Sequence, residues 1–453
     1  MARAAQIRMG RRASEEGVGL PAHVRAEFER YLDCGVLAQG FARVRCSGCG
    51  HAFLLAFSCK GRGLCPSCGA RRMVETAATL VDEVLPKAPY RQWVLTVPFR
   101  LRLLLARRPD AVTAVLGLFL RQVGNLLRRK ARAMGVTGGQ GGSVTFVQRF
   151  GDALNLHVHF HAVLPHGVFT SGREGLSVFH QVPPPTDEEV LDVCRRTQEA
   201  VLRWMDRAGL LNLEEEAPDG LAQLQAHALQ ASLGFVRDFP VSAPRPKRLC
   251  AAVEGFTLHA NVHLHPHDRE GLERLLRYGA RPNFSLARLG RLPDGRVTYQ
   301  LKRPLPNGVQ TLLLPPLTFL ARLCAMVPPP RAHLVRYHGV FAPNAKARPS
   351  VVTQAPGPKP NATQHTPQPG PRLDWAPLLK RVYPVDVLQC PRCNGRLKVL
   401  CVLTHPPVLK RLLAHLNLPS QPAPRASPRF HPEQLPLLVS SVEGPPASSF
   451  LAA

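Results

Sequence analysis

Three histidines alternate with apolar residues in Asn155-Leu-His157-Val-His159-Phe-His161-Ala-Val-Leu164. On an extended strand this alternation puts the imidazoles on one face, where two or three of them can share a divalent ion. His159 and His161 are the preferred pair, with Gln148 on the preceding strand as third ligand and His157 as a further one. Later comes Arg277-Tyr278-Gly-Ala-Arg281, and a phenol set among arginines can be held as a nucleophilic phenolate. Arg274, Arg277 and Arg281 suit contacts to phosphates. The combined chemistry is in-line attack by the tyrosine on a DNA phosphate, polarised by His-bound Mg²⁺ or Mn²⁺. Its products are a 5′-phosphotyrosine and a free 3′-OH. Tyr337, in Arg336-Tyr337-His338-Gly339, is the rival nucleophile. His263-Leu-His265, with His267 after it, is a second histidine run that periodicity does not separate from the first.

Cysteine supplies a second chemistry. The chain has 12 cysteines and no apolar leader at its N-terminus, which favours metal over disulfides. Cys46-Ser-Gly-Cys49 and Cys65-Pro-Ser-Cys68 form C-x2-C-x15-C-x2-C, so Cys46, Cys49, Cys65 and Cys68 are expected to hold one structural zinc tetrahedrally. Cys59 and His51 are then surplus. Cys390-Pro-Arg-Cys393 is a lone knuckle that needs two more ligands, for which Cys401 and His405 are candidates.

The elements that would position these groups are legible from local pattern. Met73 to Leu85 has helical spacing, and Tyr90 to Pro98 reads as a strand. Residues 110–134 form a long amphipathic helix with a basic end. A glycine-rich turn opens a β-hairpin of Ser143–Phe150 and Leu154–Leu164, joined by Gly151-Asp-Ala, with the histidines on its second strand. Thr186-Asp-Glu-Glu189 is a capping box for a helix running to Gly209. Strand-like sequence covers residues 250–265, the tyrosine helix starts at Asp268, and Arg291-Leu-Pro-Asp-Gly-Arg296 turns a hairpin. Leu312 to Val327 is partly helical. Residues 342–372 have the Pro, Ala, Thr and Gln content of a linker, and 418–453 the composition of a disordered tail.

Lys and Arg number 58 against 31 acidic residues, a net charge of +27 spread along the chain, which points to a polyanionic partner. No stretch reaches the ~18 apolar residues that cross a bilayer, so a cytoplasmic protein without membrane contact is expected.

Taken together, Cys46-Ser-Gly-Cys49, Ser58-Cys-Lys-Gly-Arg-Gly-Leu-Cys65-Pro-Ser-Cys68, Gln148-Arg-Phe-Gly, His159-Phe-His161, Arg277-Tyr278, Arg336-Tyr-His-Gly-Val-Phe-Ala-Pro-Asn344 and Cys390-Pro-Arg-Cys393 carry a family resemblance. To about residue 417 the chain resembles the rolling-circle transposases of the insertion sequence 91-like and common-region type, within the HUH endonucleases. The resemblance implies an α+β fold: a small zinc-binding domain (20–110) before an HUH endonuclease domain (111–341), an antiparallel sheet with packed helices. The Pro-rich linker (342–372) and a short C-terminal segment (373–417) would follow. It also implies cleavage and transfer of single-stranded DNA at element ends. His159 and His161 match the HUH pair, Tyr278 the nucleophile, and Cys46, Cys49, Cys65 and Cys68 the zinc ligands. Relatives with two tyrosines carry the second four residues on, where this chain has Pro282, so a one-tyrosine version is expected. Many relatives carry aspartate-glycine after the HUH strand, where this chain has His166-Gly167. Three other readings share part of the pattern: a catalytically silent zinc-dependent DNA-binding relative, a plasmid relaxase or replication initiator, and a zinc hydrolase using His157, His159 and His161.

Overall fold

The computed structural model describes residues 20–172, 177–210, 248–305, 307–352 and 386–421, with 221, 224, 225 and 228. The expected tail over 418–453 lies almost wholly outside these residues, as does the linker after 352.

Helix α1 (Ala22–Asp33) buries Val24 and Phe28 one turn apart. The hairpin β1 (Phe41–Cys46) and β2 (Ala52–Ala56) follows, and α2 (Pro66–Thr79) starts on Cys65 as N-cap with proline at its first position. A wider turn, Leu80–Val84, extends α2. Then come β3 (Tyr90–Thr96), α3 (Phe99–Arg107), α4 (Pro109–Ala133), and the hairpin β4 (Gly142–Phe150) and β5 (Leu156–Pro165). A small hairpin, β6 (Gly167–Ser171) and β7 (Ser177–Gln181), leads to α5 (Asp187–Arg207). The Thr186 and Glu189 capping box at the start of α5 is complete in both directions. Short strands β8 (Cys250–Val253), β9 (Phe256–His259) and β10 (His263–Leu264) precede α6 (Arg269–Gly279), whose cap is the Asp268 carboxylate accepting from the Gly271 N–H at 2.8 Å. The rest is β11 (Leu289–Arg291), β12 (Val297–Gln300), β13 (Thr311–Leu314), α7 (Pro316–Met326), β14 (Val335–Gly339), β15 (Leu397–Leu403) and α8 (Pro406–His415).

The centre is a 7-stranded sheet in the order β14-β4-β5-β3-β9-β8, with β10 beside β3, and every pairing is antiparallel. This is the α+β architecture expected, an antiparallel sheet with helices on it. Period-2 alternation gives the sheet two buried faces. Trp93, Leu95, Phe160 and Ala162 face a core built with α3, α4 and α5. Tyr90, Val144, Phe146 and Val163 face the other way, onto Leu80 and Val84 from the end of α2 and Leu272 and Leu276 of α6. Residues paired across strands point the same way, so His159, opposite Gln148, and His161, opposite Phe146, share the α6 face. Arg149, on the other face of β4, is buried and has no acidic partner among the described residues. It donates to the carbonyls of Met326 and Ala106, tying α7 and α3 to the sheet.

Residues 342–352, expected in the linker, belong to the folded body: a helical turn at Arg348–Val351 buries Val351 beside Phe341. Strand β15 pairs with β1, forming a three-stranded sheet in the order β15-β1-β2.

Candidate active site and metal centres

His157, His159 and His161 form a ladder on β5, with ring centroids 4.7 and 4.9 Å apart. His159 Nδ1 lies 2.8 Å from the carbonyl oxygen of His157. A carbonyl only accepts, so Nδ1 carries the proton and Nε2 keeps its lone pair for a metal. The Gln92 amide lies 3.2 Å from His161 Nδ1, and His161 Nε2 is buried with no partner. The nearer amide atom is the Gln92 nitrogen, which donates to Nδ1 and leaves the ring proton on Nε2; turning the amide over, so that its oxygen accepts from Nδ1–H, would free Nε2 for a metal. Burial holds all three imidazoles far below the usual histidine range, at about 2 for His157, about 4 for His159 and about 3 for His161. They are neutral at physiological pH, the form that binds metal.

Gln148 spans from this ladder to the tyrosine helix. Its Nε2 donates to the carbonyls of Tyr278 and Gly279, both at 2.9 Å, and its Oε1 is buried without a partner. An orphaned carbonyl oxygen opposite His159 fits the third ligand of a hard divalent ion. The three histidines do not converge as a trio: among the described residues, His, Cys, Asp and Glu donors gather in threes or more only at two four-cysteine clusters. A three-histidine zinc centre is therefore not what this strand builds.

Tyr278, 42% exposed, meets His161 edge to face at a centroid distance of 5.6 Å. The Arg281 guanidinium lies 4.4 Å above the tyrosine ring, and Lys302 Nζ lies 5.5 Å from it. Arg281 also pairs with Asp152 of the β4–β5 turn at 3.4 Å. Arg274 sits one turn before Tyr278 on the exposed side of α6, 3.8 Å from Glu270, and Arg277 is half-buried on the last turn. A cavity of about 400 Å³ opens beside the tyrosine, lined by Arg281, Arg288, Lys302, Tyr299 and Phe150.

The rival residues lie elsewhere. Tyr337 is on β14 with Arg348 6.0 Å over its ring, and burial raises its phenol, which opposes phenolate formation. His263 meets His166 edge to face at 5.2 Å, away from the ladder. His166 takes a hydrogen bond from Arg91 Nε at 3.4 Å and lies on the face opposite His159 and His161, so the residue at 166 does not reach the histidine pair.

The expected grouping of Cys46, Cys49, Cys65 and Cys68 on one zinc does not form. Cys65 and Cys68 join Cys34 and Cys59, while Cys46 and Cys49 join Cys390 and Cys393. The cause is positional: Cys65 and Cys68 open α2 beside the end of α1, whereas Cys46 ends β1 next to β15. The first cluster has sulfur contacts of 3.5 to 3.9 Å, with the N–H groups of Cys59 and Gly61 donating to the sulfurs of Cys34 and Cys59. Four convergent thiols with amide donors fit a structural zinc. Cys401 and His405 belong to neither cluster. C-x2-C spacing announces a knuckle but not its partner, so Cys34, which has no nearby cysteine, left no signal. Gln92, Asp152 and Lys302 are likewise brought to the histidine site only by pairing and loop packing.

Comparison with known proteins gives three findings. Residues 142–348 match the family model described as a putative transposase, and residues 8–97 match that described as a transposase zinc-binding domain. The chain is similar to the transposase for insertion sequence element IS801 of Pseudomonas savastanoi pv. phaseolicola, 25% identical over 379 residues covering 81% of each chain. No solved structure matches.

Proposed function

Because this chain belongs to the insertion sequence 91-like transposases, we propose that it nicks and transfers single-stranded DNA at the ends of its element in rolling-circle transposition. Tyr278 is the nucleophile. The observation that carries this reading is the contact of Tyr278 with His161 beneath the Arg281 guanidinium. His159, His161 and the Gln148 carbonyl would hold Mg²⁺ or Mn²⁺, which when bound supplies charge to a phosphate oxygen.

The remaining work falls to the chain's own groups. Arg281 and Lys302 set two positive charges around the tyrosine ring, where they attract the substrate phosphate. Gln148 fixes the last turn of α6, and with it the height of Tyr278 above the sheet. The Tyr278 hydroxyl oxygen bonds to phosphorus as the 3′ oxygen leaves, and the phenol proton ends on the free 3′-OH. The resulting 5′-phosphotyrosine stores the phosphodiester energy, so rejoining to a 3′-OH needs no ATP. Position 282 lies beyond the end of α6, which fits a single nucleophile. Strand placement beside Arg288 in the cavity suits a polyanion, and the site of action would be the bacterial cytoplasm.

The test is incubation of end-labelled single-stranded DNA from the element termini with Mg²⁺ or Mn²⁺, resolved on a denaturing gel. A metal-dependent labelled band at protein size is expected, and it should vanish in Tyr278→Phe. Cleavage without an adduct would indicate a hydrolase, a persisting adduct would move the nucleophile to Tyr337, and binding alone would indicate a silent DNA-binding relative.

A further inference from the structure

The second cysteine cluster joins residues that are 341 and 347 positions apart. Cys46 Sγ lies 3.5 Å from Cys393 Sγ, and Cys49 Sγ lies 3.7 Å from Cys390 Sγ. The two knuckles are built alike. Gly48 N–H donates to Cys46 Sγ at 3.3 Å, and Gly395 N–H donates to Cys393 Sγ at 3.4 Å. Such amide-to-sulfur bonds are the outer shell of tetrathiolate zinc. Space is tight at one of these glycines: a Cβ on Gly395 would lie 3.0 Å from Cys46 Sγ and 3.1 Å from Cys393 Sγ. Around the sulfurs the backbones are already docked. Ser47 N–H donates to the Arg396 carbonyl at 2.9 Å, β1 pairs with β15 from Phe41 opposite Leu403 to Cys46 opposite Leu397, and Val44 and Leu397 share a small core.

We propose that Cys46, Cys49, Cys390 and Cys393 bind a second zinc, which makes the C-terminal segment an integral part of the N-terminal zinc module. Each half supplies two thiolates, too few for a closed structural site, and the four together complete a tetrahedral set. Behind the knuckles the core is small, while Leu409 and Leu413 of α8 pack on Phe41 farther along, so the metal clamps one end of a joint that strand pairing and packing hold at the other. Two of the four sulfur-bearing residues, Cys49 and Cys393, are exposed, whereas the first cluster has none in that class. The second zinc is therefore the one a chelator reaches first.

The experiment counts zinc in the purified full-length chain, in Cys393→Ser and in Cys59→Ser. Two zinc per native chain and one in each variant are expected. Two zinc in Cys393→Ser, or one zinc in both the native chain and Cys393→Ser, would overturn the proposal. Should a variant fail to fold, a specific protease site inserted between residues 357 and 370 of the native sequence serves instead. After cutting, the C-terminal piece should co-elute with the body on gel filtration, and the pair should carry two zinc, one of them lost first to chelator. Separation with both zinc ions retained, or a single zinc in the co-eluting pair, would refute it.

Discussion

Buried neutral histidine makes this chain sensitive to acid. His166 is 2% exposed, and burial, reinforced by Arg91, holds it at about 3. In the unfolded chain an imidazole takes up a proton below about 6.5, so between that pH and about 3 the unfolded state binds more protons than the folded one. Stability is therefore full above about 6.5 and falls as pH drops through that window, by up to about 1.4 kcal/mol per pH unit per histidine. His157, His159 and His161 act in the same direction. Urea unfolding of wild type and His166→Gln from pH 7 to 5 should show a shallower pH slope in the variant, and identical slopes would remove His166 from this account.

Helix α6 meets the sheet through a glycine. A Cβ on Gly279 would come within 2.5 Å of the ring of Phe146, which is 2% exposed and has nowhere to go. Gly279→Ala should therefore cost about 1–3 kcal/mol, as overpacking does. It should also lower adduct yield, because the turn that lifts is the one carrying Tyr278. A variant as stable as wild type in thermal unfolding would contradict the packing argument. The hairpin, the capping box on α5 and the start of the tyrosine helix at Asp268 were legible in the sequence because each is set within a few residues. The sharing of one face by His159 and His161 was legible for the same reason. Partners across the chain were not. Gln92 reaches His161 because β3 lies beside β5, and Cys390 reaches Cys49 because β15 lies beside β1, and no local period encodes either pairing.

At the scale of the molecule, the +27 charge implies binding dominated by released counterions. If about six or more phosphates are neutralised, affinity for single-stranded DNA should fall by roughly 300-fold or more between 50 and 200 mM salt. Fluorescence anisotropy across that range checks it, and a flat response would assign the charge to something other than DNA. The position of β15 has a different consequence, in time. Strand β1 is finished early in synthesis, yet its outer partner arrives some 350 residues later, roughly 17–70 s at ribosomal speeds of about 5–20 residues per second. Throughout that interval the nascent N-terminal module presents an open strand edge with unpaired N–H and C=O groups, ready to join another chain. A message that ends before codon 397 yields a protein with that edge open for good.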